Sequence, residues 1–236
     1  CIAGSIIISD MHPGVGAIHT QSYWLSSNQS NASELMSLGA SPNEIIDYLI
    51  NNDVQNNPGI RQYGVIDLVD GGRSAAFTGE DCFDYKNHIL GDTYSIQGNI
   101  LLGQDILDQM EYGFVNTEGT LSDKLMAALQ GANVPGADTR CIDDGISSLS
   151  AFIRVANSDD SPNFPSLDIN VNNVSFVGYL IDPIDSVQTL YDMWLYEQVI
   201  LGDINQDGTI DVLDVVHIIN FILGVSSPSP IEFMSS

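Results

Sequence analysis

Apolar residues along this chain change their period several times, and each change marks an element. Residues 5–9 and 16–23 are apolar runs of strand length around Met11-His12-Pro13-Gly14, a hairpin-like arrangement. Asn31, with Glu34 three residues on, predicts a capped short helix that stops at Gly39. Ser41-Pro42-Asn43-Glu44 is a second capping box with proline at the first helical position. Ile45, Ile46, Leu49 and Ile50 then form a stripe at helical spacing. Strands are expected at 63–69 and 74–79 around the turn signal Asp70-Gly71, and at 94–101. Ile106, Leu107, Met110 and Phe114 stripe one further helix, and Leu125, Met126 and Leu129 the next, which Ser122 can cap. Strands at 148–156 and 167–172 follow. Asp182-Pro183 opens a last long helix with Ile184, Val187, Leu190, Tyr191 and Trp194 inward. Strands grouped in hairpins and helices in pairs describe an α+β layered domain rather than a βαβ repeat.

The segment after that helix is of another kind. Asp203, Asn205 and Asp207 stand at positions one, three and five of a calcium-loop pattern, with Gly208 at six for the sharp turn. The Thr209 carbonyl falls at seven, Asp211 at nine and Asp214 at twelve, and apolar residues 212–223 supply an exiting helix. Such hard oxygens at this spacing suit Ca²⁺. Asp at twelve, where an ordinary EF-hand has Glu, and the lack of an entering helix make the segment resemble a dockerin repeat. That resemblance implies docking onto a cohesin-like partner, although dockerins carry two such repeats and one is present here. The expected organisation is therefore a main domain over 1–199 and a calcium module over 200–236.

Composition changes the picture mainly through charge. Of 236 residues, 31 are acidic and 6 are Lys or Arg, a formal net charge of −25, which repels nucleic acid and anionic membranes. No apolar run is long enough to span a bilayer. The chain starts at Cys1 without an initiator Met, so an upstream segment is expected to have been removed, consistent with an exported, extracellular or cell-surface protein. Three cysteines then suggest one disulfide and one leftover thiol. Rossmann, P-loop, GxSxG and CxxC signatures are absent.

RQYGVID, AAFTGEDC, YSIQGNILLG and GADTRC resemble the domain of unknown function 1028 family, which is classed with the Ntn-hydrolase-like proteins. The resemblance runs from about Cys1 to Trp194. It implies a four-layer αββα sandwich, two antiparallel sheets between helix layers. Family members begin with a strand of the type TFSIVA and a hairpin ahead of CIAGSIIIS, and that hairpin is missing here.

Several residues could carry chemistry. In an Ntn hydrolase an exposed N-terminal Cys attacks, with its own α-amine (pKa about 7.7–8.0 in simple peptides) as base, which makes Cys1 a candidate nucleophile. Cys1 can equally pair with another cysteine, carry a lipid, or mark a cut. Cys82 and Cys141, each ending a family motif, are the expected disulfide. Gln97 and Asn99 are two apart in a strand and so share a face, with Gly98 allowing close approach. Their amides could hold a substrate amide or an oxyanion, or form a buried polar pair. Asp138 and Arg140 could grip a polar substrate or pair with each other. Arg61, one of only 6 basic residues, is expected to neutralise a specific acid, or else to bind substrate. His12, His19, His88 and His217 show no ligand spacing. The reading is a secreted calcium-binding protein acting as a binding or assembly subunit, homo-oligomeric or docked on a cohesin-like partner. The alternative is an Ntn-type amidohydrolase using Cys1.

Overall fold

The computed structural model describes residues 4–172, 180–198, 202–205 and 207–228. The chain divides into two compact units, 1–187 and 188–236.

The first unit is built on a four-stranded antiparallel meander. Its strands are β1 (Ser9–His12), β2 (Gly16–Gln21), β3 (Gln62–Asp67) and β4 (Arg73–Thr78), in that spatial order. Register sets Ile18 opposite Val65 and Val65 opposite Ala75, with Thr20, Tyr63 and Phe77 aligned one pair along. Because side chains alternate across a strand, these residues share one face and the intervening ones share the other. Helices α1 (Ser26–Ser37) and α2 (Pro42–Asn51) cover the first face. Ile18, Tyr63, Val65 and Ala75 pack there with Ala32, Met36, Ile45, Ile46 and Leu49. Burying each large apolar side chain contributes about 2 kcal/mol. The box that starts α2 is formed: Ser41 Oγ accepts from the Glu44 amide at 3.4 Å, and Glu44 Oε2 accepts from the Ser41 amide at 2.8 Å.

The second face carries His19, Gln21, Gln62, Gly64 and Thr78. Hairpin β5 (Asn87–Gly91) and β6 (Tyr94–Gly98) packs on it over β3 and β4. Hairpin β7 (Ser150–Val155) and β8 (Leu167–Asn172) meets β2, where the Phe152 ring lies 5.9 Å from that of His19. Helices α3 (Gln104–Asn116) and α4 (Leu121–Gly131) pair with each other, α3 against β5–β6 and α4 against β7. Their approach depends on two glycines. A Cβ on Gly113 would sit 2.4 Å from the Ala127 carbonyl oxygen, and one on Gly131 2.5 Å from that of Gln109. The last long helix, α5, spans Pro183–Gln198. In the second unit α6 (Val212–Ile222) follows the Asp-rich loop.

Four expectations are corrected. Residues 5–8 form a 3-10 turn (Ser5–Ile8) after Gly4 at φ 87°, and the strand begins only at Ser9. A short apolar run carries no period by which turn and strand can be told apart. Helix α1 starts at Ser26, well before Asn31, with no side-chain cap. Helix α4 is capped by Thr120, whose box partner is Asp123, while the expected cap Ser122 is buried. Strand β6 ends at Gly98, short of the expected 101, because the chain turns at Asn99 and at Ile100, whose φ is 60°. Beyond these corrections the structure adds β5, Asn87-His88-Ile89-Leu90-Gly91, too short and mixed to stand out in sequence.

Candidate functional site

At one end of the first unit, the close of β2, the start of β3, the close of β4, the start of β5 and the close of β6 converge. Gln62 is fully buried there. Its Oε1 accepts from Gln21 Nε2 at 2.8 Å and from Asn99 Nδ2 at 3.0 Å. Its Nε2 donates to Thr78 Oγ1 at 2.9 Å, the Gly98 carbonyl at 2.9 Å and the Asn87 carbonyl at 3.1 Å. The reversed amide would face two carbonyl oxygens with its own oxygen, so this orientation is the one chemistry allows. An amide N–H can only donate, so Thr78 Oγ1 accepts from Gln62, and it is also hydrogen-bonded to His88 Nδ1, 2.9 Å away, with the donor set by the ring's tautomer. Burial lowers the His88 pKa, which favours the neutral ring. His88 lies directly across the hairpin from Gln97. Gln97 rests against Gly64, where a Cβ would come within 2.4 Å of Gln97 Oε1, and the same oxygen accepts from Ser95 Oγ at 2.6 Å.

The backbone around this end is strained. Ser22 (φ 57°), Tyr23 (φ 51°) and Ile100 (φ 60°) all occupy the left-handed region. For a β-branched residue such as Ile100 that is a genuine outlier, costing on the order of 1–3 kcal/mol and met mostly at functional or tightly constrained positions. Ile100 is held by its surroundings: its amide donates to the Phe83 carbonyl at 3.0 Å, and its carbonyl accepts from the Thr139 amide at 3.0 Å. The adjoining bridge between Leu101 and Asp138 joins the end of YSIQGNILL to GADTRC.

The residues anticipated from sequence fall into different places. Gln97 and Asn99 both lie in the polar cluster. Asp138 and Arg140 stand next to it but engage each other: Arg140 Nε donates to Asp138 Oδ1 at 2.9 Å and Nη2 to Oδ2 at 2.6 Å. Asp138 also caps the turn Thr139–Asp144 by accepting from the Arg140 amide. Arg61 is almost wholly buried. Its Nε donates to Asp53 Oδ2 at 2.9 Å, Nη2 to Gln55 Oε1 at 2.8 Å, and Nη1 to the Tyr23 carbonyl. Burial alone would raise the Asp53 pKa. Bonds from the Asn57 amide, Arg61, Asn28 and the Gln55 amide outweigh it and hold the carboxyl down at about 2. Gln21, Gln62, Thr78 and His88 were not singled out. The register of two strand pairs aligns Gln21, Gln62 and Thr78, and packing of the β5–β6 hairpin on the sheet adds His88, so no local pattern could have marked them.

Cys82 is a free, buried thiol donating to the Arg61 carbonyl at 3.2 Å, so the expected Cys82–Cys141 disulfide is not formed. The two cysteines serve separate loops: Cys82 closes the Arg61 region, and Cys141 is buried in the Thr139–Asp144 turn. Cys1 lies outside the described residues.

In the second unit the Asp-rich loop winds around its own carboxylates. Asp203 Oδ2 accepts from the Gly208 amide at 2.9 Å and Oδ1 from the Asp207 amide at 3.2 Å. Asp214 Oδ1 accepts from the Ile204 and Asn205 amides at 2.7 and 3.1 Å, and Oδ2 from the Asp211 amide at 2.7 Å. Gly208 takes φ 86°, as the sharp turn requires. Asn205 Nδ2 bonds Asp207 Oδ2 at 2.8 Å, and Thr209 donates to Asp207 Oδ1 through its amide and hydroxyl. Asp211 caps α6 with Asp214 as its box partner. The oxygen set is the hard, anionic kind that fits Ca²⁺. No compact group of three or more His, Cys, Asp or Glu side chains able to hold a metal is drawn together among the described residues. No described helix is long and apolar enough to cross a membrane.

Comparison with known proteins gives no match among curated proteins. The crystal structure of protein SPO2555 from Silicibacter pomeroyi, itself assigned to DUF1028, superposes with a TM-score of 0.62 at 21% identity, covering 81% of this chain and 78% of that one. At that identity the likeness speaks for the fold. A family model described as a family of unknown function, DUF1028, matches residues 2–175, which takes in both polar hairpins and stops short of the Asp-rich loop. The chain therefore belongs to the DUF1028 family.

Proposed function

We propose that this is an exported calcium-binding protein in which the family domain serves binding or assembly rather than turnover. The observation that carries the reading is the loop of 202–214. Six oxygen positions at calcium spacing sit on a turn in which backbone amides already point at Asp203 and Asp214. Asp203, Asn205, Asp207, Asp211 and Asp214 would hold the ion with the Thr209 carbonyl, and the ion would supply the charge that lets those carboxylates converge. A dockerin-like role draws support from α6, which exposes Val212, Val216, Ile219 and Ile222 just after the loop. A surface so apolar suits a protein partner, cohesin-like or a second copy. The order of packing, α1 and α2 on the sheet, hairpins on its other face, α3 and α4 against the hairpins, supports the four-layer, Ntn-hydrolase-like reading of the family domain.

Calcium titration by calorimetry on the intact chain, repeated with Asp203→Ala, tests this. Saturable binding at one site, lost in the variant, is expected. Chelation should also open 202–224 to protease while leaving the first unit intact. Absence of binding at millimolar calcium would sink the proposal.

Amide hydrolysis, the second reading, has one observation in its favour: the hydroxyl of Thr78 is hydrogen-bonded to a neutral-leaning His88 beside the amides of Gln97 and Asn99.

A further inference from the structure

Strand β1 stands at the edge of the four-stranded sheet, and among the described residues β2 is its only strand partner. An edge strand offers a row of backbone donors and acceptors to any extended chain laid beside it. Next to this edge a groove of about 540 Å³ opens between the strand and α1, lined by Ile7, Ser9, Asp10, Ser33 and Glu34 among others, with no Lys or Arg in its wall. Both sides of the groove are pinned. His12 Nε2 lies 3.1 Å from Ser33 Oγ and 3.5 Å from Asp10 Oδ2, tying strand to helix. Gln29 Nε2, from α1, donates to the Ile7 and Ile8 carbonyls at 3.1 and 3.2 Å, tying the helix to the turn before the strand. The groove is therefore preformed, and a ligand need not order its walls.

We infer that this groove accepts an extended peptide segment of a partner protein with Lys or Arg at alternate positions, which pairs with β1 as a fifth strand. Backbone pairing would supply affinity, and alternate side chains would reach the same side of the sheet, where Asp10 and Glu34 provide the complementary charge. The four residues of β1 span about 13 Å at about 3.3 Å per residue, so four or five residues of the partner would be engaged. A second copy of this chain is a poor occupant, since each carries a formal net charge of −25 and offers only 6 Lys or Arg.

The test uses the full chain and three capped eight-residue peptides: Val and Lys alternating, Val and Glu alternating, and Pro and Lys alternating. The last keeps the charge but lacks half of the backbone donors. Affinity is read by fluorescence anisotropy and location by amide hydrogen exchange. The Val/Lys peptide should bind and slow exchange at residues 9–12. The Pro/Lys peptide should bind about tenfold more weakly, the Val/Glu peptide not at all, and Asp10→Asn with Glu34→Gln should weaken Val/Lys binding by about tenfold. Equal binding of the Pro/Lys peptide, protection elsewhere with 9–12 unchanged, or no binding at millimolar peptide would each overturn the inference. Because location is measured on the unaltered chain, the result does not depend on the double variant folding.

Discussion

Replacing Arg61 by methionine removes the cation that faces the buried carboxylate of Asp53, 2.9 Å away. Both side chains are about 98–99% buried, at 2% and 1% relative exposure, so solvent cannot take over the lost interaction. Leaving one member of a buried pair without the other costs about 3–5 kcal/mol. The lower end is expected here, about 3 kcal/mol, because Asp53 keeps bonds from Asn28 Nδ2 and from the Gln55 and Asn57 amides. The same network makes a pH prediction. The Asp53 carboxyl is held at about 2 against an ordinary 3.8, which at about 1.4 kcal/mol per pH unit is worth about 2 kcal/mol. The folded pKa is the depressed one, so this stability is complete above about pH 4 and is lost as pH falls toward about 2. Urea unfolding from pH 7 to pH 2, on the wild type, Arg61→Met, Asp53→Asn and the double variant, measures both. Arg61→Met and Asp53→Asn should each be strongly destabilising, and the double variant less so than their sum. A loss under about 1 kcal/mol for Arg61→Met, or strict additivity, would refute the reasoning.

Two further outcomes are expected. Gln62→Leu strands Gln21, Asn99 and the Gly98 carbonyl without their partner and should cost about 3 kcal/mol in urea unfolding, whereas a change within about 0.5 kcal/mol would mean the cluster is open to water. Cys82 should resist a thiol reagent in the native protein and react fully in denaturant, as read by intact mass; a peptide joining Cys82 to Cys141 would contradict the free, buried thiol.

How far the site could be read in advance varied with how local its determinants are. Gln97 and Asn99 stood out as neighbouring amides, and the cluster does contain both, but β6 ends at Gly98, so Asn99 reaches Gln62 from beyond the strand and not by a strand period of two. The groups they meet, Gln62 and His88, are far off in sequence, and His88 lies on a strand too short to announce itself. Arg61 stood out by rarity, but rarity cannot tell a substrate clamp from an internal strut; burial does. Asp138 and Arg140 show the converse case, since residues two apart in a turn can satisfy each other and did.

What the chain determined by itself is whatever depends on neighbours in sequence. The capping box at Ser41–Glu44, the hairpin at Asp70-Gly71, the apolar stripe of α2 and the turn at Gly208 follow from local hydrogen bonds and allowed φ values, so sequence sufficed. Membership in a family also followed from contiguous motifs. Tertiary structure alone decided where α1 begins, because no side chain caps it and its start is set by packing against the sheet. It decided that Cys82 stays free, because the turn after β4 folds back on the Arg61 carbonyl, which accepts from both the Gly79 amide and the Cys82 thiol. It also decided that the second face of the central sheet is polar inside. Strand register places Gln21, Gln62 and Thr78 side by side, and register is a property of paired strands that neither strand carries alone.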